Sequence, residues 1–240
     1  MKTMQALIKK SGALVLVLFT LFAANSCKKE SGPNVLGGET NIPLTQKDSV
    51  TDLYFTVNGG SSLPGASIKV LSNDNGMVTY GATVDLNAYP DSVVNNLVTM
   101  VPQLITYYKP KDLTWSLSPG GVLNVQFKLK ITSEGMQNYF VDGQPWTVKY
   151  ADGVGTDYTV TRDNGDVLKA TITEKTGLDD WPYSFWSIKT SKVEYNAPAT
   201  DPVLSKVTFR VNHKFGLVYL KAEGKDGRVL EMDLFAWFLL

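Results

Sequence analysis

Val122-Leu123-Asn124-Val125-Gln126-Phe127-Lys128-Leu129-Lys130-Ile131 is the stretch whose reading decides the fold. Val125, Phe127, Leu129 and Ile131 fall in one phase; Asn124, Gln126, Lys128 and Lys130 fall in the other. A strand turns successive side chains to opposite faces, so this pattern gives one covered face and one wet face. That is the signature of an antiparallel sheet with a single buried side.

Outward from this stretch the same alternation recurs, punctuated by turn residues. Leu53–Val57 runs into Asn58-Gly59-Gly60. Ser67–Leu71 and Met77–Leu86 flank Ser72-Asn73-Asp74-Asn75-Gly76, whose asparagines and glycine tolerate the positive φ of a tight reversal. Asp157–Glu174 reads as a hairpin around Asp163-Asn164-Gly165-Asp166. Lys206–Val211, Leu217–Glu223 and Arg228–Leu240 end the chain as further strands. The last of these closes in the apolar run Leu234–Leu240, which is expected to be paired, since an exposed greasy edge invites aggregation.

One segment departs from period two. Between Asp91 and Tyr108, Val93, Val94, Leu97, Met100, Val101, Leu104, Ile105 and Tyr108 recur at steps of three and four. The spacing predicts a helix, or a broken pair, capped by Asp91 or Ser92 and kinked or ended by Pro102 at about Val101. Such an element would plug the open side of a sheet or lie as a lid over a cavity. The expected architecture is therefore mainly β: an antiparallel meander barrel, half-barrel or two-sheet sandwich of about nine to eleven strands, with one helical insertion at about 91–108. Its consecutive hairpins resemble the meander of calycin-like proteins, lipocalins among them.

The N-terminal residues belong to a different logic. Lys2, Lys9 and Lys10 precede an uncharged run, Ala13–Ala24, of about a dozen residues. A spanning helix needs about 20, so the run reads as the core of an export signal. It exits through Ala24-Asn25-Ser26-Cys27. These residues resemble the cleavage site of lipoprotein precursors, in particular outer-membrane lipoproteins of Bacteroidetes. The resemblance implies removal of 1–26 and a diacylglycerol thioether with a further acyl chain such as palmitate on Cys27. It also implies residence in the outer membrane, with surface display ahead of an inward-facing position. Glu30 after Lys28-Lys29 partly matches the surface-export signal of such proteins. The alternative is a secreted protein with a buried thiol. Cys27 is the only cysteine, so no internal disulfide is available. From Lys28 to about Gln46, glycines and prolines with few large apolar residues predict a flexible tether. The expected domains are thus 1–26 leader, 27–47 lipidated cysteine and tether, and 48–240 a single β domain.

Charge excludes some partners. Without the three leader lysines the chain carries slightly more acid than base, in no block. A nucleic-acid partner would want a basic face.

Motifs for chemistry are sparse. His213 is the single histidine and falls in a turn; no Gly-x-Ser-x-Gly elbow accompanies it. Transition-metal binding lacks ligands, and Asn73-Asp74-Asn75 or Asp163-Asn164-Asp166 have hard oxygens but the chemistry of ordinary turns. Gly59-Gly60 and Gly120-Gly121 lack the lysine and helix of a phosphate loop. No cofactor is expected.

The unusual local feature is Trp181-Pro182-Tyr183-Ser184-Phe185-Trp186, preceded by Asp179-Asp180. Aromatic faces stack on the C–H surfaces of sugars, and carboxylates accept from hydroxyls. Trp181, Tyr183, Phe185, Trp186, Asp179 and Asp180 are accordingly the candidate ligand contacts; the same rings would also serve simply to fill a β core. Three functions compete. The first is a non-catalytic, membrane-tethered protein holding a glycan or a small apolar ligand. The second is an accessory subunit docked on an outer-membrane protein. The third is a glycoside hydrolase, which requires two carboxylates about 5–10 Å apart; adjacent Asp179 and Asp180 would point apart on a strand.

Overall fold

Alternation becomes strand pairing along nearly the whole chain. A computed structural model describes residues 36–59, 63–177, 180–183 and 186–235 (backbone alone for 63–65, 96–98, 101, 186 and 235). In chain order the elements are β1 (Val50–Val57), β2 (Leu63–Asp74), β3 (Met77–Asp85), α1 (Asp91–Tyr108), β4 (Thr114–Leu117) and β5 (Val122–Ile131). There follow β6 (Gly135–Asn138), β7 (Trp146–Lys149), β8 (Asp157–Thr161), β9 (Val167–Lys175), β10 (Trp181–Tyr183) and β11 (Trp186–Ile188). The last four are β12 (Ser191–Asn196), β13 (Leu204–Asn212), β14 (Gly216–Gly224) and β15 (Val229–Phe235).

The first and last strands pair: Leu53 lies opposite Leu234 and Phe55 opposite Met232. From that junction the sheet runs β1-β2-β3-β5-β6-β7 in one direction and β15-β14-β13-β12-β9-β8 in the other, antiparallel throughout. β4 pairs with β5, beside β6. The sheet's two ends, β7 and β8, are consecutive in sequence and meet at a seam held by side chains. The Trp146 indole N–H donates to the Tyr158 carbonyl at 3.3 Å, and the Tyr158 hydroxyl accepts from the Lys149 N–H at 3.1 Å. The result is a nearly closed, mainly antiparallel barrel. It is one curved sheet rather than a two-sheet sandwich, and it holds more strands than the nine to eleven expected. The excess comes from short elements such as β4, β6 and β7, which are too brief for alternation to register.

In-phase residues fill the interior. Val125, Phe127, Leu129 and Ile131 of β5 are all at most 3 % exposed. The opposite phase is charged. On the outer face Glu194 pairs with Lys192 at 2.7 Å and with Lys206 at 2.8 Å, and Lys221 reaches Glu231 at 3.7 Å. A membrane-spanning barrel carries an apolar band there, so this barrel turns a water-facing wall outward. Gly76 and Gly216 are two of the glycines whose positive φ places the turns around the cavity end. Gly76 (φ 87°) with Asn75 (φ 50°) makes the tight β2–β3 turn. Gly216 (φ 68°) opens β14 beside Ile131 of β5 in a left-handed backbone that favours glycine.

α1 is a single helix, and Pro102 lies inside it without ending it. Leu104 and Tyr108, beyond the proline, have no exposed surface. Their burial outweighs the one backbone hydrogen bond that proline removes. Pro90 occupies the N-cap position with no side-chain cap, and Asp91 stands in the first turn, where it favours the helix dipole. The polypeptide ahead of β1 also differs from expectation. Leu36, Ile42 and Leu44 are buried, and Asn73 Nδ2 binds the Thr40 and Thr45 carbonyls at 3.3 and 3.1 Å. The segment read as tether through Gln46 is therefore fixed to the barrel from Leu36 onward.

Candidate functional site

The two ends of the barrel are built differently. Every up-and-down strand delivers one terminus to each end. α1 and the β6–β7, β8–β9 and β12–β13 connections gather at one end; the β9–β12 and β13–β14 connections and residues 36–46 gather at the other. The β9–β12 connection is the aromatic segment. It forms its own two-stranded sheet, β10–β11, with Trp181 opposite Ile188 and Tyr183 opposite Trp186.

This hairpin straddles the barrel rim. Tyr183, 2 % exposed, stacks on Phe215 of the β13–β14 turn with ring centroids 4.9 Å apart. Both rings line a cavity at the barrel mouth. One wall comes from Ile68, Tyr80, Phe127 and Ile131, the other from Leu217, Met232 and Leu234, and Leu44 of the N-terminal segment completes it. Room for the centres of water-sized spheres is about 40 Å³, against roughly 10–15 Å³ needed for one water. The lining is apolar apart from the hydroxyls of Thr51, Tyr80 and Tyr183. Burial pushes the Tyr80 phenol well above its ordinary pKa, so it stays protonated. An apolar pocket with a few convergent hydroxyls binds neutral molecules by exclusion of water.

Trp181 lands on the outer wall instead. The Arg210 guanidinium lies 3.9 Å from its ring centroid, and Tyr219 meets it edge-on at 5.4 Å. Arg210 is itself fixed by Glu174 at 2.8 Å and Thr190 Oγ1 at 3.0 Å. The six candidate residues are thus divided. Tyr183 reaches the cavity, Trp181 the outer wall, and Asp180 is exposed. Asp179 and Phe185 lie outside the described residues, as do Cys27 and the leader, and of Trp186 only the backbone pairing is described. The helix is not a lid over this cavity, because α1 plugs the opposite end. Sequence reasoning missed Leu44, read as tether, and Phe215, which sits in a turn. Leu217, Met232 and Leu234 were available from the inward phase of their strands.

The turn oxygens considered for calcium have structural partners. Asn73 Oδ1 accepts the Gly76 N–H at 2.8 Å, and Asn164 Oδ1 accepts that of Asp166 at 3.1 Å.

No family model and no curated protein matches the chain. Among solved structures, that of a "putative lipoprotein" from Parabacteroides distasonis is similar over 83% of this chain and 98% of the other, at 10% identity and a TM-score of 0.40.

Proposed function

We propose that the chain is a membrane-tethered, non-catalytic binding lipoprotein that holds a small apolar ligand in the mouth of its barrel. The observation that carries this reading is the apolar cavity between the two walls, roofed by Tyr183 and Phe215. A ring-sized ligand suits its volume better than a lipid chain. Attachment would be through Cys27, with a tether no longer than the stretch to Leu36. An accessory-subunit role has less support: the large exposed apolar residues among those described, Val50, Trp115, Val154 and Val167, lie on separate elements and not in one patch.

The test uses benzene and small alkylbenzenes, followed by methyl shifts of Leu217, Met232 and Leu234 in NMR spectra. Saturable shifts confined to these residues are expected, together with their loss in Leu217→Phe, a variant that retains the far-UV circular dichroism of the parent. Absence of any saturable shift in the parent protein sinks the reading. Labelled palmitate incorporated in cells, and lost in Cys27→Ser, tests the anchor separately.

A further inference from the structure

Four residues form a transverse row on the outer face beside the aromatic hairpin. Arg210 of β13 is registered with Tyr219 of β14, Tyr219 with Asp233 of β15, and Asp233 with Tyr54 of β1. All four belong to the outward phase of their strands, since Phe209, Leu220, Met232 and Leu53 fill the core. Neighbouring strands lie about 4.8 Å apart. Tyr219 and Tyr54 therefore flank Asp233 at about 10 Å from one another, and Trp181 overhangs the Tyr219 side on its fixed guanidinium.

Asp233 is the unusual member. It is half-buried, and among the described residues it has neither an ion-pair nor a hydrogen-bond partner. The other carboxylates of this wall differ: Glu174 holds Arg210, Glu194 holds two lysines, and Glu231 faces Lys221. Burial and the nearby Glu231 raise the Asp233 pKa. Among the described residues, no side chain of the barrel uses it as an acceptor.

We propose that this row is a saccharide-binding site, with Asp233 accepting hydrogen bonds from sugar hydroxyls between the rings of Tyr54, Tyr219 and Trp181. Aromatic side walls cover the C–H faces of a pyranose, and a carboxylate between them takes adjacent hydroxyls. Arg210, close to Trp181, opposes a cationic ligand there and is indifferent to a neutral one. The site is separate from the cavity and does not depend on it.

The experiment is isothermal titration calorimetry of the folded protein with neutral tetrasaccharides: a β-glucan, an α-mannan and a β-galactan fragment. At least one is expected to bind. Asp233→Ala should weaken that binding about ten-fold or more, the loss of a hydrogen bond to a charged acceptor, and Trp181→Ala should weaken it too. Both variants should keep the parent's far-UV circular dichroism, and Asp233→Ala also the benzene response of the cavity, which separates a failed site from a failed fold. No heat from any sugar, sugar binding that Asp233→Ala leaves unchanged, or binding of tetramethylammonium in place of sugars would each overturn the proposal.

Discussion

The helix end and the hairpin end of the barrel solve the same problem with opposite chemistry. At the helix end a polar network is buried and hydrogen-bonded except at Asp142 Oδ1, which has only the Lys109 ammonium at 4.0 Å. The Tyr108 hydroxyl donates to Asp201 and lies 3.0 Å from the Tyr195 hydroxyl. The other oxygen of Asp201 accepts the Val203 and Leu204 N–H groups at 2.8 and 2.7 Å. Beside it the Asp142 carboxylate takes the Arg162 Nε–H at 3.2 Å and the Asp163 N–H at 3.1 Å, while Arg162 also donates to the Tyr107 carbonyl and lies over the Tyr107 ring. At the hairpin end the polar bonds lie on the outer wall, where Arg210 binds Glu174 and Thr190 and Asn212 donates to the Lys189 carbonyl. On the inner side rings lean on rings above an apolar cavity. A buried network with this many directional bonds favours one geometry. Stacked rings over a void allow small shifts at little cost, which a binding site requires. The helix end is the rigid stopper and the hairpin end is the mouth.

The strongest way to break this comparison is Arg162→Ala. The Arg162–Asp142 pair is almost fully buried, with side chains 6% and 1% exposed. Removing the cation leaves a buried carboxylate with its strongest partner gone, a change that costs about 3–5 kcal/mol. Urea unfolding should register that loss as a lowered midpoint with an unchanged slope. A loss below about 1 kcal/mol, the range of an exposed pair, would show that the helix end is not the rigid one.

A paired substitution sharpens the same contrast at smaller amplitude. Leu104→Phe places extra volume in the sealed helix end, where overpacking costs about 1–3 kcal/mol. Leu217→Phe places the same volume beside the cavity, and its cost should be smaller than that of Leu104→Phe by about 1 kcal/mol or more. Thermal unfolding of the two variants, measured side by side, checks this. Equal losses would mean that the mouth is as tightly filled as the stopper.

Much of the barrel could be read from the chain, and what escaped did so for identifiable reasons. The phase of Val125 to Ile131 fixes the inward face of β5, and the turn at Asn75-Gly76 fixes its hairpin neighbours. Of the apolar run Leu234–Leu240 expected to be paired, Leu234 and Phe235 pair with β1 and 236–240 lie outside the described residues; that partner is set by closure of the meander, which no local pattern encodes. Pro102 misled because propensity is local, whereas the burial of Leu104 and Tyr108 comes from the far wall of the barrel. The candidate site was legible only as a concentration of rings. Trp181 and Tyr183, two residues apart on one strand, share a small cluster with Ile188 and Val218, and from it Trp181 reaches Arg210 and Tyr219 while Tyr183 reaches the cavity. Asp233 carried no signal at all: it is one acidic residue in an outward phase, and its isolation appears only when β1, β14 and β15 are set side by side.

That isolation gives the subtlest contrast between the ends, since the buried acid at the helix end, Asp142, is paired and Asp233 is not. Burial first, and Glu231 second, hold the folded pKa of Asp233 above its ordinary value. Around it stand Tyr54 and Tyr219 on the adjacent strands and Arg210 one strand further, already engaged by Glu174. The folded protein therefore binds a proton more tightly here than the unfolded chain does, and stability falls as pH rises from the unfolded pKa through the folded one. Asp233→Asn removes the charge and keeps the shape. Below the unfolded pKa the variant and the parent should have equal stability. Through the window above it the variant should gain steadily, reaching a constant advantage once the parent's carboxyl is ionised, of the order of a surface substitution at about 0.5 kcal/mol. Urea midpoints of both proteins from pH 3 to pH 8 measure the difference directly; an advantage that shrinks toward neutral pH would mean that Asp233 has a cationic partner after all, as Asp142 does.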